Sequence, residues 1–512
     1  MNFFEAARPQ RRIITICMVA ASLLQTLDAT IANVALPHMQ GALSATNDQI
    51  SWVLTSYLIS AAIMTPSIGW LAGRFGRRRL FLVSMIGFTI ASMACGASQT
   101  LEQMVVFRMV QGVFGASLVP LSQSVMLDIY EPHERGHAMA LWSVGVMLGP
   151  IIGPTLGAWL TDAYNWRYVF YVNLPIGVLG VIGLWFFLPQ APLVRSRRFE
   201  WFGFASLSLA IAGLQLVLDR GETKDWFDSR EIIAEATLAA VGLYLFTMQM
   251  WLGPERFITL QILRDRNFLN ALGLQFVVGV AQNSTGVLLP PYFQTLAGYP
   301  VILSGMAMAP RGLGTVLSAP LMGFLVNRFD PRMLMLCGLG VLSFSTWAMT
   351  QWSPETSIVT MIPALMLQGT TLSVIFTPMQ TVAFSTLPAH LRTECSGLLA
   401  LFRNLGGSIG VAVMETLLVR NTQVAHADLA RFATPFNRAL QAGGAMAGMN
   451  PNTAHGAAML DQLITYNAQV VAYRDDFLAM LFGVLPAIVM VLLMRSPRRT
   501  PLSPEDSHLP VE

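Results

Sequence analysis

The chain has 512 residues, of which 54% are hydrophobic and only 12% are charged, and its mean hydropathy is +0.55. Soluble domains carry about twice this charged fraction, so the composition excludes an ordinary soluble protein and favours an all-α polytopic membrane protein. The net charge of +3 is spread along the chain, which indicates no nucleic-acid partner. The only lysine, Lys224, follows a threonine, so the chain has no P-loop nucleotide site. Any uphill transport must therefore draw on an ion gradient or on a separate ATPase subunit.

The first apolar segment follows three arginines and resembles a signal peptide at its start. It continues for about 24 residues to Pro37, which is too long for the apolar core of such a peptide, so we interpret it as a retained first span. Apolar segments of similar length recur to the C-terminus and predict fourteen transmembrane helices. They lie near 13–36, 51–72, 80–97, 103–127, 138–160, 167–188, 199–218, 232–252, 268–296, 303–325, 333–350, 357–385, 393–419 and 477–494.

The distribution of basic residues predicts the orientation of these spans. Most arginines outside the spans fall in the two tails and in the connections on the same side, which the positive-inside rule assigns to the cytoplasm. The expected divisions are a cytoplasmic tail at 1–12, a six-helix bundle at 13–188, an inserted two-helix segment at 189–267, a second six-helix bundle at 268–494 and a cytoplasmic tail at 495–512. The longest connection, 421–475, then faces the periplasm. It contains AGGAMAGMNPN (442–452) between two segments with helical patterning.

The first span contains Asp28 within the stretch LDATIANVALP, and we expect no other acid deep in a predicted span. A carboxylate in hydrocarbon must face the bundle interior, pair with a cation or stay protonated. Helical rise puts Asp28 roughly 22 Å from the inner end of its span, at a depth similar to that of Arg108 in span 4. Gln25 shares a helix face with Asp28, and Gln111 shares one with Arg108. Asp28 could be a proton-coupling acid. It could also form a static ion pair or stay buried in its protonated form.

Short sequence matches recur at a nearly constant offset and indicate an internal repeat. The matches are LAGRFGRRRLFL (71–82) with LVNRFDPRMLML (325–336), RMVQGVFG (108–115) with LMLQGTTL (365–372), and Gly149 and Gly153 with Gly406 and Gly410. The repeat predicts two parallel six-helix halves, with two helices inserted between them and a substrate path at their interface. It aligns Arg108 with Leu365 and places the counterpart of Asp28 near Ala281 and Gln282.

Span 5 carries a glycine at every fourth position together with two prolines. These residues are Gly145, Gly149, Gly153, Gly157, Pro150 and Pro154. Small residues at this spacing let a neighbouring helix approach closely, and proline removes a backbone hydrogen bond and allows bending. Tight packing alone is one interpretation, and a bending element is the other.

Two further groups of polar residues are candidates for function. On the cytoplasmic side these are Gly69, Arg74, Gly76, Arg77 and Arg78, with Asp128 after span 4. Ion pairs among these residues could close an inner gate. Alternatively, the arginines could set the orientation of the spans and contact anionic lipids. In the second half the candidates are Gln282, Arg311 and Arg403. Arg403 could meet an anionic substrate or bond backbone carbonyls of a neighbouring helix.

Several segments together resemble the major facilitator superfamily, and within it the fourteen-span drug/proton antiporters of the EmrB/QacA type. They are LDATIANVALP (27–37), GWLAGRFGRRRL (69–80), RMVQG (108–112), GVMLGPIIGPTLG (145–157), WRYVFYVNLPIG (166–177), LDRGETKDWFDS (218–229), APRGLG (309–314) and YNAQVVAYRDDF (466–477). One departure is Gly73, because the superfamily places an aspartate before the first arginine of its 2–3 loop motif. Gly73 has no side chain with which to make the aspartate–arginine contact of that motif.

The resemblance implies a major facilitator fold and a proton-coupled antiporter that exports hydrophobic or amphipathic drugs or toxic compounds across the bacterial inner membrane. It implies that the glycines of span 5 act as a hinge and seal, and that a periplasmic membrane-fusion adaptor, docked at 421–475, feeds an outer-membrane duct. A facilitator that imports a nutrient and a non-transporting receptor or scaffold are the alternatives. No nucleophile–base pair or metal cluster stands out, and the four cysteines are scattered singly, so we expect no enzyme, no cofactor and no metal.

Overall fold

The structure is a computed structural model that describes residues 10–131, 134–190, 198–253, 256–434 and 453–495. Within these ranges the chain is helical and contains no strand. Thirteen helices are long and apolar enough to cross a membrane, and the helix Val301–Arg328 covers the remaining predicted span, 303–325. The fourteen helices are α1 Arg11–Ala42, α2 Trp52–Phe75, α3 Arg77–Ala97, α4 Leu101–Ile129, α5 Arg135–Ala163, α6 Tyr168–Phe187, α7 Trp201–Arg220, α8 Arg230–Leu252, α9 Arg266–Leu296, α10 Val301–Arg328, α11 Pro331–Met349, α12 Ile358–Ala383, α13 Arg392–Ala430 and α14 Ala454–Leu493.

Local capping groups set several of the helix starts. The hydroxyl of Thr100 accepts a hydrogen bond from the Gln103 amide at the start of α4, at 3.3 Å. The carboxylate of Asp265 accepts one from the Phe268 amide at the start of α9, at 2.8 Å. Both residues satisfy backbone donors that have no partner within the helix. Gly76 separates α2 from α3 with a φ of 85°, a conformation that favours glycine.

The two halves of the chain repeat the same packing. In the first half α1 packs along α5, α2 along α4, and α3 along α6. In the second half α9 packs along α13, α10 along α12, and α11 along α14. Each pair maps onto its counterpart by a shift of eight helices, which confirms the predicted parallel halves. Between the halves, α5 packs against α10 and α12, and α13 packs against α2 and α4.

The inserted helices α7 and α8 pack together as a pair and join the bundle on one side. Gly242 of α8 and Gly213 of α7 let the two backbones come close. Helix α7 also packs against the N-terminal part of α2 and against α13. The Thr55 hydroxyl of α2 donates to Asp219 of α7 at 2.5 Å, and Gln215 of α7 donates to Ser408 of α13 at 3.0 Å. Helix α7 is therefore bonded to both halves.

Helices α13 and α14 differ from the sequence interpretation, which treated 421–475 as a long connection. Helix α13 continues to Ala430 and α14 begins at Ala454. The glycine-rich stretch 442–452 lies outside the described residues. A 39-residue helix such as α13 is about 58 Å long, roughly twice the thickness of the hydrocarbon layer. The helices extend because their sequences keep helical patterning after the apolar spans end, and they project beyond one membrane face as a pair.

Candidate transport site

The centre of the N-terminal half contains an ion pair that is closed to solvent. Arg108 Nη1 donates to Asp28 Oδ2 at 2.7 Å, and both side chains are fully buried. Arg108 Nε also donates to the Val53 carbonyl oxygen at 3.0 Å, and its guanidinium carbon lies 4.4 Å from the centre of the Tyr57 ring. The structure thus brings Asp28 and Arg108 together at the shared depth that helical rise predicts. In this low-dielectric setting, loss of either charge leaves the other uncompensated.

Two amide side chains complete the shell around the Asp28 carboxylate. Gln111 Nε2 donates to Asp28 Oδ1 at 2.8 Å, and Asn173 Nδ2 donates to the same oxygen at 2.7 Å. Asn173 Nδ2 also lies 2.9 Å from Ser92 Oγ. With Arg108, the carboxylate has three donors drawn from α4 and α6. Charge-assisted and amide hydrogen bonds from three donors fix the orientation of this carboxylate.

Gln25 does not join this shell, although it shares a helix face with Asp28. Its side-chain oxygen instead accepts a hydrogen bond from the Val119 amide of α4 at 3.2 Å. Asn173, Ser92 and Tyr57 also belong to the site and were not predicted from the sequence. Asn173 lies within the stretch WRYVFYVNLPIG that carried the family resemblance, so a polar amide in an apolar span was the available signal. Which helix Asn173 faces depends on packing alone.

The C-terminal half contains a neutral counterpart of this site. Gln368 Nε2 donates to Thr285 Oγ1 at 2.9 Å, in the same way as Gln111 donates to Asp28. Thr285 therefore takes the place of Asp28 as the partner of this glutamine, and it lies about one helical turn from Ala281, near which the repeat places the counterpart of Asp28. Among the described residues, the buried Asp–Arg pair has no equivalent at this place in the C-terminal half.

The glycine stripe of α5 packs directly against α1, the helix that carries Asp28. A Cβ atom at Gly145 would lie 2.8 Å from the Val19 carbonyl oxygen, and one at Gly157 would lie 2.8 Å from the Ile31 carbonyl oxygen. Gly149 and Gly153 meet α1 between these points, near Thr26 and Thr30. Both prolines, Pro150 and Pro154, lie inside an uninterrupted helix. The stripe therefore provides tight packing, and its action as a hinge remains a prediction.

Ion pairs centred on Asp128 join the two halves where α4 ends and α13 begins. Arg77 of α3 pairs with one oxygen of this carboxylate, and Arg392 of α13 pairs with the other. Nearby, Ser124 and Thr393 share a hydrogen bond of 2.9 Å between the halves. Asp128 and Arg77 thus meet as the sequence analysis expected, whereas Arg392 was not among the predicted gate residues. Arg392 reaches the site because α13 begins beside the C-terminal end of α4.

The other predicted gate residues have different surroundings. Arg78 donates to the Trp185 carbonyl oxygen, and Arg74 is exposed. A Cβ atom at Gly69 would lie 2.8 Å from the Glu394 Cα, so this glycine permits close contact between α2 and α13. Gly76 forms the turn between α2 and α3. Of these residues, the structure connects only Gly69 directly to the opposite half.

A small cavity, open on one side, lies in the C-terminal half and has a volume of about 10 Å³, room for about one water molecule. Its lining includes Gln282, Arg311 and Gln368 together with the apolar side chains of Leu342, Leu372 and Ile375. Arg311 Nη2 donates to the Gln282 carbonyl oxygen at 3.0 Å. The Gln282 amide also lies 3.5 Å from the Met147 sulfur of α5, so the cavity borders the interface between the halves. Arg403 lies outside this lining, and its backbone approaches Gly279 of α9.

Comparison with protein families decides the affiliation of the chain. Residues 18–411 match the model described as Major Facilitator Superfamily. The chain belongs to this superfamily. The match covers the six helices of the first half, the inserted pair and most of the second half. The duplicated packing around α1, α5, α9 and α13 is thus the superfamily fold, and the protein is a multi-pass transporter rather than an enzyme.

Relatives within the superfamily cover nearly the whole chain. The multidrug export protein EmrB of Escherichia coli is 33% identical over 94% of this chain and 94% of its own length. The fatty acid resistance protein FarB of Neisseria gonorrhoeae is 32% identical over 93% of this chain and 95% of its own. This chain is thus an EmrB-like member of the superfamily. Among solved structures, the human organic anion transporter MFSD10 gives a TM-score of 0.58 at 15% identity, covering 92% of this chain and 99% of that one. This last likeness concerns the fold alone.

Proposed function

We propose that this protein is a proton-coupled antiporter that exports hydrophobic and amphipathic toxic compounds across the bacterial inner membrane, with both termini in the cytoplasm. The observation that carries the proposal is the buried Asp28–Arg108 pair, whose acid and arginine both have neutral counterparts in the second half. A carboxylate held by an arginine releases its proton, and it binds one when the arginine moves away. Movement between outward-facing and inward-facing states would supply this change. The names of EmrB and FarB are consistent with export of toxic compounds.

Directional transport is the test of this proposal. In inverted vesicles, in which the cytoplasmic face is outside, an acidic interior should drive accumulation of an amphipathic fluorescent dye. Collapse of the pH gradient with ammonium chloride should release the dye. Dye movement in the opposite direction would favour the facilitator that imports a nutrient. The absence of any protein-dependent movement would favour a receptor or scaffold.

Asp128 is proposed as the centre of an inner gate that holds the halves together. Substitution Asp128→Asn removes the charge that Arg77 and Arg392 share, so we expect a larger population of the inward-open state. Cys395 lies one helical turn from Arg392 and is fully buried, which makes it a reporter. In a chain whose other cysteines are replaced by serine, its reaction with maleimide should be several-fold faster in Asp128→Asn. The exposed acid Asp162 is the matched control, and equal labelling of Asp162→Asn and Asp128→Asn would refute the gate.

The extensions of α13 and α14 are the proposed docking surface for a periplasmic adaptor of a tripartite efflux system. They project beyond the membrane, and the His426 ring lies 3.0 Å from the Asp461 carboxylate, so the two extensions form one paired surface. Copurification with such an adaptor should be lost when 425–470 is deleted. Transport of the dye in vesicles should persist in the same variant. An adaptor that still copurifies with the deleted protein binds elsewhere.

A further inference from the structure

We propose that Asn173 is a positioning residue that holds Asp28 in both protonation states of the acid. Its amide donates a hydrogen bond to the ionised carboxylate and, after a half-turn, accepts one from the protonated acid. The inference rests on the proposed proton coupling and deepens it, since it names the group that binds the acid after proton uptake. It starts from the two ends of the Asn173 amide. Nδ2 has two partners, whereas Oδ1 is buried and has none.

The hydrogen bonds around Asn173 determine which end of its amide faces Asp28. An ionised carboxylate can only accept, so the amide presents Nδ2 to Asp28 Oδ1, at 2.7 Å. Ser92 Oγ donates to the Phe170 carbonyl oxygen at 2.9 Å, so it accepts in its contact with Nδ2. Both contacts agree with an ionised Asp28. The buried Oδ1 is the end of the amide that this state leaves unused.

A protonated Asp28 needs a different set of partners. Its carboxyl group then carries an O–H donor, and a buried donor without an acceptor is costly. Arg108 has only donors. The side-chain oxygen of Gln111 is occupied, since it accepts from Arg108 Nη1 at 2.9 Å and lies 3.6 Å from the Cys95 sulfur. Of the three side chains that donate to this carboxylate in the described structure, Asn173 alone has an acceptor without a partner.

The positions of these partners on different helices also favour Asn173. Arg108 and Gln111 both belong to α4, so a movement that takes the arginine away from Asp28 takes the glutamine with it. Asn173 belongs to α6, which packs beside α1. It can therefore stay next to Asp28 when α4 moves and the acid binds its proton.

A half-turn about the Cβ–Cγ bond of Asn173 exchanges the two ends of the amide. Terminal torsions of this kind are roughly two-fold, and the oxygen and the nitrogen are similar in size. Oδ1 then takes the place of Nδ2, 2.7 Å from Asp28 Oδ1, and accepts from the acid O–H. The Ser92 hydroxyl rotates and donates to the same oxygen. The proton stays on Asp28, and only the direction of the hydrogen bond is reversed.

Three titratable side chains lie around Asp28 on neighbouring helices: Arg108 on α4, Tyr57 on α2 and Cys95 on α3. Among the described residues, only Arg108 forms an ion pair with the carboxylate. The Cys95 thiol contacts an amide side chain of α4, and the Tyr57 ring lies 4.4 Å from the guanidinium carbon. Neither of these two side chains hydrogen-bonds to the carboxylate, so neither holds the acid in this arrangement.

Infrared difference spectroscopy tests the proposal on the protein in nanodiscs, taken from alkaline to acidic pH. The C=O band of protonated Asp28 is the carboxylic-acid band that is missing in Asp28→Asn. In Asn173→Leu, which nearly keeps the size of the side chain and removes both ends of the amide, this band should move to higher frequency. The reason is that the acid O–H has lost its acceptor. The initial rate of pH-driven dye accumulation should fall several-fold in the same variant.

An isotope label tests the amide itself without altering its surroundings, and it applies even if Asn173→Leu does not fold. Asparagine is labelled at its side-chain carbonyl carbon. Acidification should then shift one labelled amide band, because Asn173 Oδ1 gains a hydrogen bond when Asp28 is protonated. This shift should be absent in Asp28→Asn.

Asn270→Leu is the matched control, since Asn270 donates to the Arg266 carbonyl oxygen within α9, at 2.8 Å. Its acid band and its transport should equal those of the unmodified protein. An Asp28 band at one frequency in Asn173→Leu and in the unmodified protein would overturn the role of Asn173 and leave proton coupling intact. A labelled amide band that does not respond to acidification would do the same. If no acid band depends on Asp28 at acidic pH, both the role of Asn173 and the proposed coupling are refuted.

Discussion

Asp28→Asn should abolish pH-driven accumulation of dye in inverted vesicles, reducing it to the level of vesicles without the protein. Asparagine keeps the size of the side chain and can still accept hydrogen bonds from Gln111 and Asn173. It cannot carry a charge or exchange a proton, so the pH gradient has no group through which to act. Arg108 would also be left buried without a counter-ion, a defect that typically costs about 3–5 kcal/mol. Dye binding and transport are measured on the same preparation to separate coupling from recognition.

Two variants separate coupling from stability in this experiment. The double variant Asp28→Asn/Arg108→Gln removes both charges, so its apparent melting temperature should exceed that of Asp28→Asn while transport stays absent. Asp476 is the matched control, because it is a fully buried acid in α14 that has no contact with Arg108. Asp476→Asn should retain pH-driven transport. Retained pH-driven transport in Asp28→Asn would refute the role of Asp28 in proton coupling. An equal loss of pH-driven transport in Asp476→Asn would refute it as well.

Gly149→Ala should destabilise the protein and lower transport, although it adds only one methyl group. The new Cβ would lie 2.5 Å from the backbone nitrogen of Leu27, and backbone atoms cannot rotate away as a side chain can. Helices α1 and α5 must therefore separate, which typically costs about 1–3 kcal/mol for an overfilled core. The same separation shifts α1 and thus the Asp28 carboxylate. We expect an apparent melting temperature lower by a few degrees and a several-fold lower initial rate of dye accumulation.

Gly340→Ala is the control for Gly149→Ala. Gly340 lies within α11, and a Cβ atom there would meet nothing within 4 Å. Alanine has the higher helix propensity, by about 1 kcal/mol, so this variant should match or exceed the stability of the unmodified protein. Equal melting temperatures for Gly149→Ala and Gly340→Ala would show that the close approach of α1 and α5 is not required.

Much of the architecture could be predicted because only long apolar helices can cross a bilayer. The apolar segments give the number of helices, since a helix needs about 20 apolar residues to cross the hydrocarbon. The repeat at matching positions indicates the parallel halves. The glycine periodicity of span 5 identifies a surface of close approach. Within 421–475 the helical patterning on both sides of 442–452 was visible in the sequence, but not that α13 continues without a break from its span to Ala430 and that α14 begins at Ala454.

The site was predictable in part, because an acid and an arginine in apolar spans each need a partner of opposite charge, and few others are present in those spans. The depths of Asp28 and Arg108 follow from helical rise, and burial without a partner is costly. The shell around them did not follow from the sequence. Asn173 donates to Asp28 because α6 packs beside α1, and Gln25, on the same face as Asp28, bonds to a backbone amide of α4 instead.

By itself, the sequence determined the fourteen apolar helices, the duplication, and the presence of one acid and one arginine that must meet inside the first half. Only the tertiary structure decided the contacts between helices distant in the chain. It gave Asp128 two arginines from opposite halves, made Thr285 the hydrogen-bond partner of Gln368, and placed Arg311 in the lining of a small cavity. The physical reason is that hydropathy acts along a single helix. The rotation of each helix about its axis depends on packing against several neighbours at once, and that rotation selects the partner of every polar side chain.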